Sequence, residues 1–164
     1  GEKGVMTITL NSDRLADLGL AQSSVYVARF QGDKVSDENE LPVSAILLPD
    51  FSSLTPEALE HAPLIHLSAE ELDMRSLLSK KQKAKQDIIV TNNGRSSLEI
   101  SKLQVFHPAV GVALKKQLLQ PGESTRLRVT VDRRNINKSR RPLRLLMITN
   151  DPQHPKKEIN IQAK

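Results

Sequence analysis

The strongest constraint on the fold of this chain is a two-residue alternation of apolar and polar side chains. Near the start of the sequence, Met6, Ile8 and Leu10 fall on one side of such a segment, and two threonines fall on the other. Successive side chains of a β-strand point to opposite faces of a sheet, so this period is typical of half-buried strands. The same pattern returns along most of the 164 residues.

Turns rich in Gly, Pro and Asn separate these alternating segments, and no long helix intervenes. Short strands with regular turn signals predict an all-β fold, an antiparallel β-sandwich. The predicted strands span residues 5–10, 24–30, 41–48, 87–91, 97–103, 110–114, 126–131, 143–149 and 157–161.

One segment gives two conflicting signals. Ser68 and Glu71 form the S-x-x-E pattern of a helix capping box, and leucines follow at near-helical spacing up to Lys85. Local propensity therefore predicts a helix over residues 69–84. A sandwich instead needs an extended strand in part of the same region, so both alternatives stand.

The charge of the chain is divided unequally along its length. Residues 1–62 carry four basic and ten acidic side chains, a net charge of −6, whereas residues 63–164 carry a net charge of +11. A difference of this size suggests two units that attract each other across an interface.

A linker is predicted at residues 51–63, between the two parts. Thr55 suits the N-cap of a short helix, Pro56 its first position and Glu57 its first turn. We therefore expect one or two helical turns inside the linker.

A stretch near the start of the chain is repeated later. Residues 1–10 align without a gap with residues 122–131, with an identical Gly-Glu start and matching apolar positions. Further predicted strands precede the second copy, but none precedes the first. We therefore expect residues 1–50 to hold the C-terminal strands of a first sandwich domain whose front half is absent from this chain.

Three motifs in the second half resemble those of a known family. They are V-T-N-N-G with a following L-E-I at residues 90–100, L-Q-P-G-E at residues 119–123 and T-N-D-P-Q-H-P at residues 149–155. In this order they resemble the abnormal-spindle/Hydin (ASH) type of immunoglobulin-like domain, in particular the bacterial domains of unknown function in that superfamily. The resemblance implies a complete immunoglobulin-like domain at residues 64–164, and residues 1–50 fit its C-terminal strands.

The resemblance also implies a function without catalysis. Family members resemble seven-stranded sandwiches that serve as structural or interaction modules of exported, envelope or scaffold proteins, often in tandem. It therefore implies tandem domains, a protein partner and a location in the bacterial periplasm or cell envelope. Self-association through strands of residues 1–50 is also expected, because a half-domain leaves strand edges unpaired. No apolar run approaches the roughly 20 residues of a membrane-spanning helix.

Turn formation alone explains the three motifs. Asn93-Gly94 is typical of a hairpin turn with positive φ, and Pro121-Gly122 is typical of a type II turn. Asp151-Pro152 ends a strand, because Pro lacks the ladder donor and an Asp side chain bonds its own backbone.

Residue types that carry most enzyme chemistry are scarce. The chain has no Cys, which excludes disulfides, thiolate metal ligands and a Cys nucleophile. It also lacks a nucleophile elbow and a Gly-rich phosphate loop. Four histidines are expected in loops or on the surface: His61, His66, His107 and His154. We therefore predict no enzymatic activity, no catalytic residue, no cofactor and no metal site.

The sharpest remaining feature is a run of cations near the end of the chain. Its members are Arg133, Arg134, Lys138, Arg140, Arg141 and Arg144. A second cluster consists of Lys80, Lys81, Lys83 and Lys85. If they share one face, the alternative function is binding of a polyanion, either nucleic acid or another anionic polymer, by counterion release. Aromatic residues make up only 2% of the chain, which disfavours nucleic acid because single-strand binders stack bases on aromatic rings. The simpler explanation is a solvated loop whose charges protect strand edges from aggregation.

Overall fold

The structure, a computed structural model, describes residues 4–12, 15 and 17–163. The chain separates into two units, with the boundary between Leu47 and Leu48. In the described residues, the strands of the first unit form one hairpin, and those of the second form two larger sheets.

The first unit is built on an antiparallel pair, β1 (Gly19–Tyr26) and β2 (Glu40–Leu47), which are aligned over their full length. The loop that connects them is organised by the buried side chain of Asn39. Its Oδ1 accepts a hydrogen bond from the N–H of Ser36 at 2.9 Å, and its Nδ2 donates to the carbonyl of Lys34 at 3.0 Å.

The strand predicted at residues 5–10 is wrong. This segment has no regular secondary structure, and the side chain of Val5 is 98% exposed. A strand is stable only beside a hydrogen-bonded neighbour, and no described strand is paired with this segment. Sequence alternation and the match to residues 122–131 are therefore not sufficient to form a strand. The next predicted strand is displaced, because β1 begins five residues before its predicted start.

The short helix of the predicted linker is present with the expected cap. This helix, α1, covers Pro56–Glu60, with Pro at its first position. The Oγ1 of Thr55 accepts a hydrogen bond from the N–H of Ala58 at 3.1 Å.

Two sheets make up the second unit. The four-stranded sheet has the order β3 (Ile65–Leu67), β5 (Lys83–Asn92), β9 (Ser124–Asp132) and β7 (Val110–Leu114). The five-stranded sheet has the order β4 (Glu71–Asp73), β11 (Lys156–Gln162), β10 (Arg144–Thr149), β6 (Leu98–Val105) and β8 (Leu118–Leu119). Neighbouring strands are antiparallel except β4 and β11, which are parallel. The predicted all-β, antiparallel sandwich is confirmed.

Alternate residues of the strands form the core of the sandwich. In β9, Leu127, Val129 and Val131 are completely buried, whereas the residues between them are directed to the opposite face. The five-stranded sheet contributes side chains such as Met147 and Ile159 to the same apolar cluster. Each fully buried side chain of this size favours folding by about 1.5–3 kcal/mol.

Residues 69–84, for which the sequence left helix and strand as alternatives, contain both a strand and a helix. After β4, the helix α2 covers only Arg75–Lys80, and β5 begins soon afterwards. Ser68 does not cap a helix, because its Oγ accepts a hydrogen bond from the N–H of Ile89 in β5 at 2.9 Å. Strand pairing therefore overrides local propensity, and the long helix predicted over residues 69–84 is wrong.

Two glycines of the motifs are required for different reasons. Gly122 has a φ of +76°, and the N–H of Glu123 bonds to the carbonyl of Gln120 at 2.9 Å, which agrees with the predicted type II turn. Gly94 is not among the residues with positive φ, so that prediction is wrong. A Cβ at Gly94 would instead lie 2.3 Å from the main-chain nitrogen of Leu64. Close backbone approach is the reason for glycine at this position.

Candidate functional site

The six predicted contact residues follow the end of β9. A 3-10 helix covers Arg133–Lys138, and the chain then continues to the start of β10. Arg144 is half-buried, and the other five side chains are exposed. We call this stretch, residues 133–144, the basic segment.

Asp132, the last residue of β9, connects the two predicted clusters of cations. Its carboxylate lies 2.7 Å from Nη2 of Arg134 and 3.6 Å from Nζ of Lys83. Hydrogen bonds from the Arg134 side chain hold the pKa of Asp132 well below its usual range, so the carboxylate stays charged. The structure thus brings members of both clusters together, but around an acid that offsets part of their charge.

Two arginines of the basic segment are engaged within the sandwich. Arg144 lies 3.4 Å from the carboxylate of Glu158, and its guanidinium is 5.0 Å from the ring centre of Phe106. Arg133 donates from Nη1 to the carbonyl of Leu78 at 3.3 Å. Among the described residues, no acidic partner is found for three other cations: Lys138, Arg140 and Arg141.

His107 lies in a loop as expected, but it is buried, with only 3% of its surface exposed. Its Nδ1 accepts a hydrogen bond from the N–H of Ala109 at 3.0 Å, and its Nε2 lies 3.2 Å from the carbonyl of Ser139. A ring nitrogen that accepts a hydrogen bond carries no proton, so Nε2 carries the proton and donates to Ser139. His107 therefore anchors the basic segment to the loop before β7. The other three histidines are exposed: His61, His66 and His154.

A second charged surface, which no sequence motif indicated, lies on the outer face of the four-stranded sheet. We call it the outer basic face, and it consists of Lys115, Lys116, Arg126 and Arg128. These four cations line an open groove of about 720 Å³, together with Glu123 and small or apolar side chains. The alternation of β9 is the sequence pattern that could have indicated this surface, because Arg126 and Arg128 take the outward positions on either side of the buried Leu127.

Ion pairs organise part of this face. Asp87 of β5 accepts hydrogen bonds from Nε and Nη2 of Arg128 at 2.8 and 2.9 Å, and it lies 3.5 Å from Arg126. The bonds from Arg128 lower the pKa of Asp87. Lys116 pairs with Glu123. These bonds hold three of the four cations in defined positions on the sheet.

Two amide side chains of the motifs bond to the main chain. The Nδ2 of Asn92 donates to the carbonyls of Ser96 and Leu119 at 2.8 and 3.0 Å. The Oδ1 of Asn150 accepts from the N–H of Glu99 at 2.7 Å. Within the described residues, no group of three His, Asp or Glu side chains lies close enough to hold a metal ion.

This arrangement of strands and motifs agrees with comparisons to known proteins. Residues 63–164 match the family described as HYDIN/CFA65/VesB-like, Ig-like domain. The chain belongs to this family. The resemblance drawn from the three motifs is therefore confirmed, and the sandwich is immunoglobulin-like.

Two solved structures are similar to this Ig-like protein. One is a protein of unknown function from Porphyromonas gingivalis W83, with 24% identity and a TM-score of 0.68 over 92% of this chain and 68% of that one. This likeness shows a shared fold. The other is the secreted serine protease VesC from Vibrio cholerae, with 13% identity and a TM-score of 0.41 over 75% of this chain and 26% of that one. No curated protein matches the sequence.

Asp151 occupies the T-N-D-P motif of this HYDIN/CFA65/VesB-like Ig-like domain and is completely buried. Its carboxylate accepts hydrogen bonds from the main-chain N–H groups of Ile65, Gln153 and His154. None of the described helices has the length and apolar character to cross a membrane.

Proposed function

We propose that this chain is a non-enzymatic structural or protein-interaction module of a bacterial exported or envelope protein. The observation that carries the proposal is the role of the polar motif residues Asn92, Asn150 and Asp151, each of which bonds to main-chain atoms of the sandwich. Side chains held in this way fix loops and strands, so they are not available to activate a substrate. The exposed sheet face and the basic segment remain as surfaces for a partner.

The proposal includes tandem Ig-like domains. Residues 1–50 would be the C-terminal strands of a first domain, and residues 51–63 would link them to an Ig-like domain at residues 64–164. The separation of the chain after Leu47 and the family match to residues 63–164 support this division. Self-association through strands of residues 1–50 is part of the same proposal.

Photo-cross-linking in the native bacterium tests the proposed function. A photoreactive residue is placed at Arg126 on the outer basic face or at Lys138 in the basic segment, and the cells are fractionated after irradiation. We expect a discrete cross-link to another protein in the periplasmic or envelope fraction, which is absent without irradiation. A chain confined to the cytosol, with no cross-link from either position, would contradict the proposal.

Polyanion binding through the basic segment is the second candidate function. It is favoured by the lack of acidic partners for Lys138, Arg140 and Arg141 among the described residues. Replacing all three by Glu should abolish binding to DNA, RNA or heparin at about 50 mM salt. Lys34→Glu, at an exposed position in the first unit, is the matched control. Unmeasurable binding by the unaltered protein rules this function out.

A further inference from the structure

The edge strand β7 pairs with β9 alone among the described strands. Hydrogen bonds at the two ends of this pair define which residues face each other in bonded pairs. The N–H of Asp132 donates to the carbonyl of Ala109 at 2.9 Å, and the N–H of Lys115 donates to the carbonyl of Arg126 at 3.4 Å. In an antiparallel ladder, bonded and non-bonded pairs alternate. These two bonds therefore determine which residue pairs along the whole β7–β9 ladder are hydrogen-bonded.

The alternation of bonded and non-bonded pairs divides the residues of β7 into two sets. Gly111 and Ala113 exchange hydrogen bonds with β9, whereas Val112 and Leu114 direct their N–H and C=O groups toward the open edge of the sheet. No described residue bonds to the main-chain groups of Val112 and Leu114 at that edge. β7 therefore presents the main-chain pattern that a further strand requires.

The sequence of β7 does not protect this edge. Natural sheets protect their edges with charged residues, Pro or bulges, but β7 reads Val-Gly-Val-Ala-Leu and is in regular register with β9 over all five residues. The outer face beside the edge is also open, because Gly111 has no side chain, Ala113 has only a methyl group, and both residues are exposed. A Cβ at Gly111 would meet nothing within 4 Å. An incoming strand thus meets no steric barrier on this side.

The charges around β7 favour an acidic occupant. The groove that includes Ala113 and Leu114 of β7 is lined by the four cations of the outer basic face and by one acid, Glu123. Asp87 also pairs with Arg126 and Arg128, so the cations outnumber these acids by four to two. Lys115, directly after the strand, forms no ion pair with any described residue. An extended peptide with acidic side chains on the outer face would complement this excess of positive charge.

We propose that β7 binds an extended, acidic segment of a protein partner, which joins the four-stranded sheet as an additional strand. This inference rests on the proposed function as an interaction module, and it names the partner class and the surface. The open main-chain groups of Val112 and Leu114 supply hydrogen bonds, and the outer basic face selects acidic side chains.

Residue-resolved amide hydrogen exchange of the full chain tests the proposal. The probe is a synthetic peptide of about nine residues with alternating Glu and Val, a length that covers a typical strand. A peptide with Lys in place of Glu is the control. In the free protein, we expect slow exchange at Gly111 and Ala113 and fast exchange at Val112 and Leu114. The acidic peptide should slow exchange at Val112 and Leu114 by at least about tenfold, and the basic peptide should not.

Two variants separate the contributions of the main chain and the charge. Val112→Pro removes an N–H of the open edge while keeping the ladder bonds of its neighbours, and it should weaken binding of the acidic peptide by more than about tenfold. Lys115→Glu leaves β7 intact even if the proline variant fails to fold, and it should weaken binding about fivefold or more. Lys138→Glu in the basic segment is the matched control and should bind as the unaltered protein does.

Three results would overturn the proposal. The first is that the acidic peptide does not slow amide exchange at Val112 and Leu114. The second is that both peptides slow this exchange equally. The third is that exchange slows with increasing protein concentration when no peptide is present. The last result would make a second copy of the chain the occupant. If the peptide fails while cross-links from Lys138 to an envelope protein persist, strand addition is wrong but the proposed function stands. Peptide binding without any cellular cross-link would contradict the proposed function instead.

Discussion

The carboxylate of Asp151 accepts a hydrogen bond from the main-chain N–H of Ile65 at 2.9 Å, although 86 positions separate the two residues. Ile65 begins β3 in the four-stranded sheet, and Asp151 follows β10 in the five-stranded sheet. This buried bond therefore connects the two sheets at one end of the sandwich. The T-N-D-P motif thus does more than end a strand.

Removal of this carboxylate should destabilise the protein strongly. Asp151→Ala leaves three N–H groups without their acceptor, of which that of Ile65 is buried, and we expect the free energy of unfolding to fall by about 2–4 kcal/mol. Urea denaturation measures this change. Asp37→Ala, at an exposed loop position, is the control and should change stability by less than about 0.5 kcal/mol. A loss below about 1 kcal/mol for Asp151→Ala would show that the carboxylate does not hold the sheets together.

The close approach at Gly94 gives a second prediction. Gly94→Ala places a methyl group 2.3 Å from the nitrogen of Leu64 and 2.5 Å from the carbonyl oxygen of Ala62, both of which are backbone atoms. The backbone must therefore shift, and we expect a loss of about 1–3 kcal/mol in thermal or urea unfolding. Gly111→Ala has open space around its Cβ and serves as the control. Equal stability of the two variants would contradict the steric explanation.

Much of the sandwich could be predicted from local patterns, because most of its longer strands alternate over five residues or more and β10 is a continuous apolar run. The strands β5, β6, β7, β9, β10 and β11 all contain or closely overlap predicted segments. The strands β3, β4 and β8 have only three, three and two residues. Such short segments cannot show a period, and only pairing with distant strands stabilises them.

The candidate functional surfaces were harder to predict, because they depend on how distant strands and loops are aligned with one another in the fold. The contact between Asp87 and Arg128 spans 41 positions and arises because these residues face each other across β5 and β9. Burial of His107 likewise depends on its contact with Ser139, 32 positions away. The run of cations in the basic segment was visible in the sequence, but the acid that partly neutralises it, Asp132, could be assigned only from coordinates.

Acid titration of Asp33 gives a third prediction. Its carboxylate accepts hydrogen bonds from the side chain and the N–H of Arg29, and these bonds lower the pKa of Asp33 to about 2. The unfolded chain has a pKa of about 3.9 for Asp. Because the folded value is lower, this stabilising contribution is complete above about pH 4 and is lost as the pH falls toward about 2.

The NMR titration of the Asp33 carboxyl carbon measures this pKa directly. Arg29→Gln removes the guanidinium but keeps the main-chain bond, so the midpoint should rise toward the unfolded value. Lys34→Gln removes a neighbouring cation whose side chain does not contact Asp33, and the midpoint should not change. A midpoint near 4 in the unaltered protein would contradict the contact between Arg29 and Asp33.

The buried imidazole of His107 provides the last prediction. Because both of its ring nitrogens bond to main-chain groups, His107→Ala should lower the free energy of unfolding by about 1–3 kcal/mol. It should also accelerate amide exchange at Ala109 by at least about tenfold, since that N–H loses its acceptor. His66→Ala removes an exposed histidine of β3 and should change stability by less than about 0.5 kcal/mol. His107→Phe fills the volume without either hydrogen bond, so it distinguishes packing from bonding. Fast exchange at Ala109 in both His107 variants would assign the protection of that N–H to the Nδ1 acceptor, whereas slow exchange in the Phe variant would assign it to packing alone.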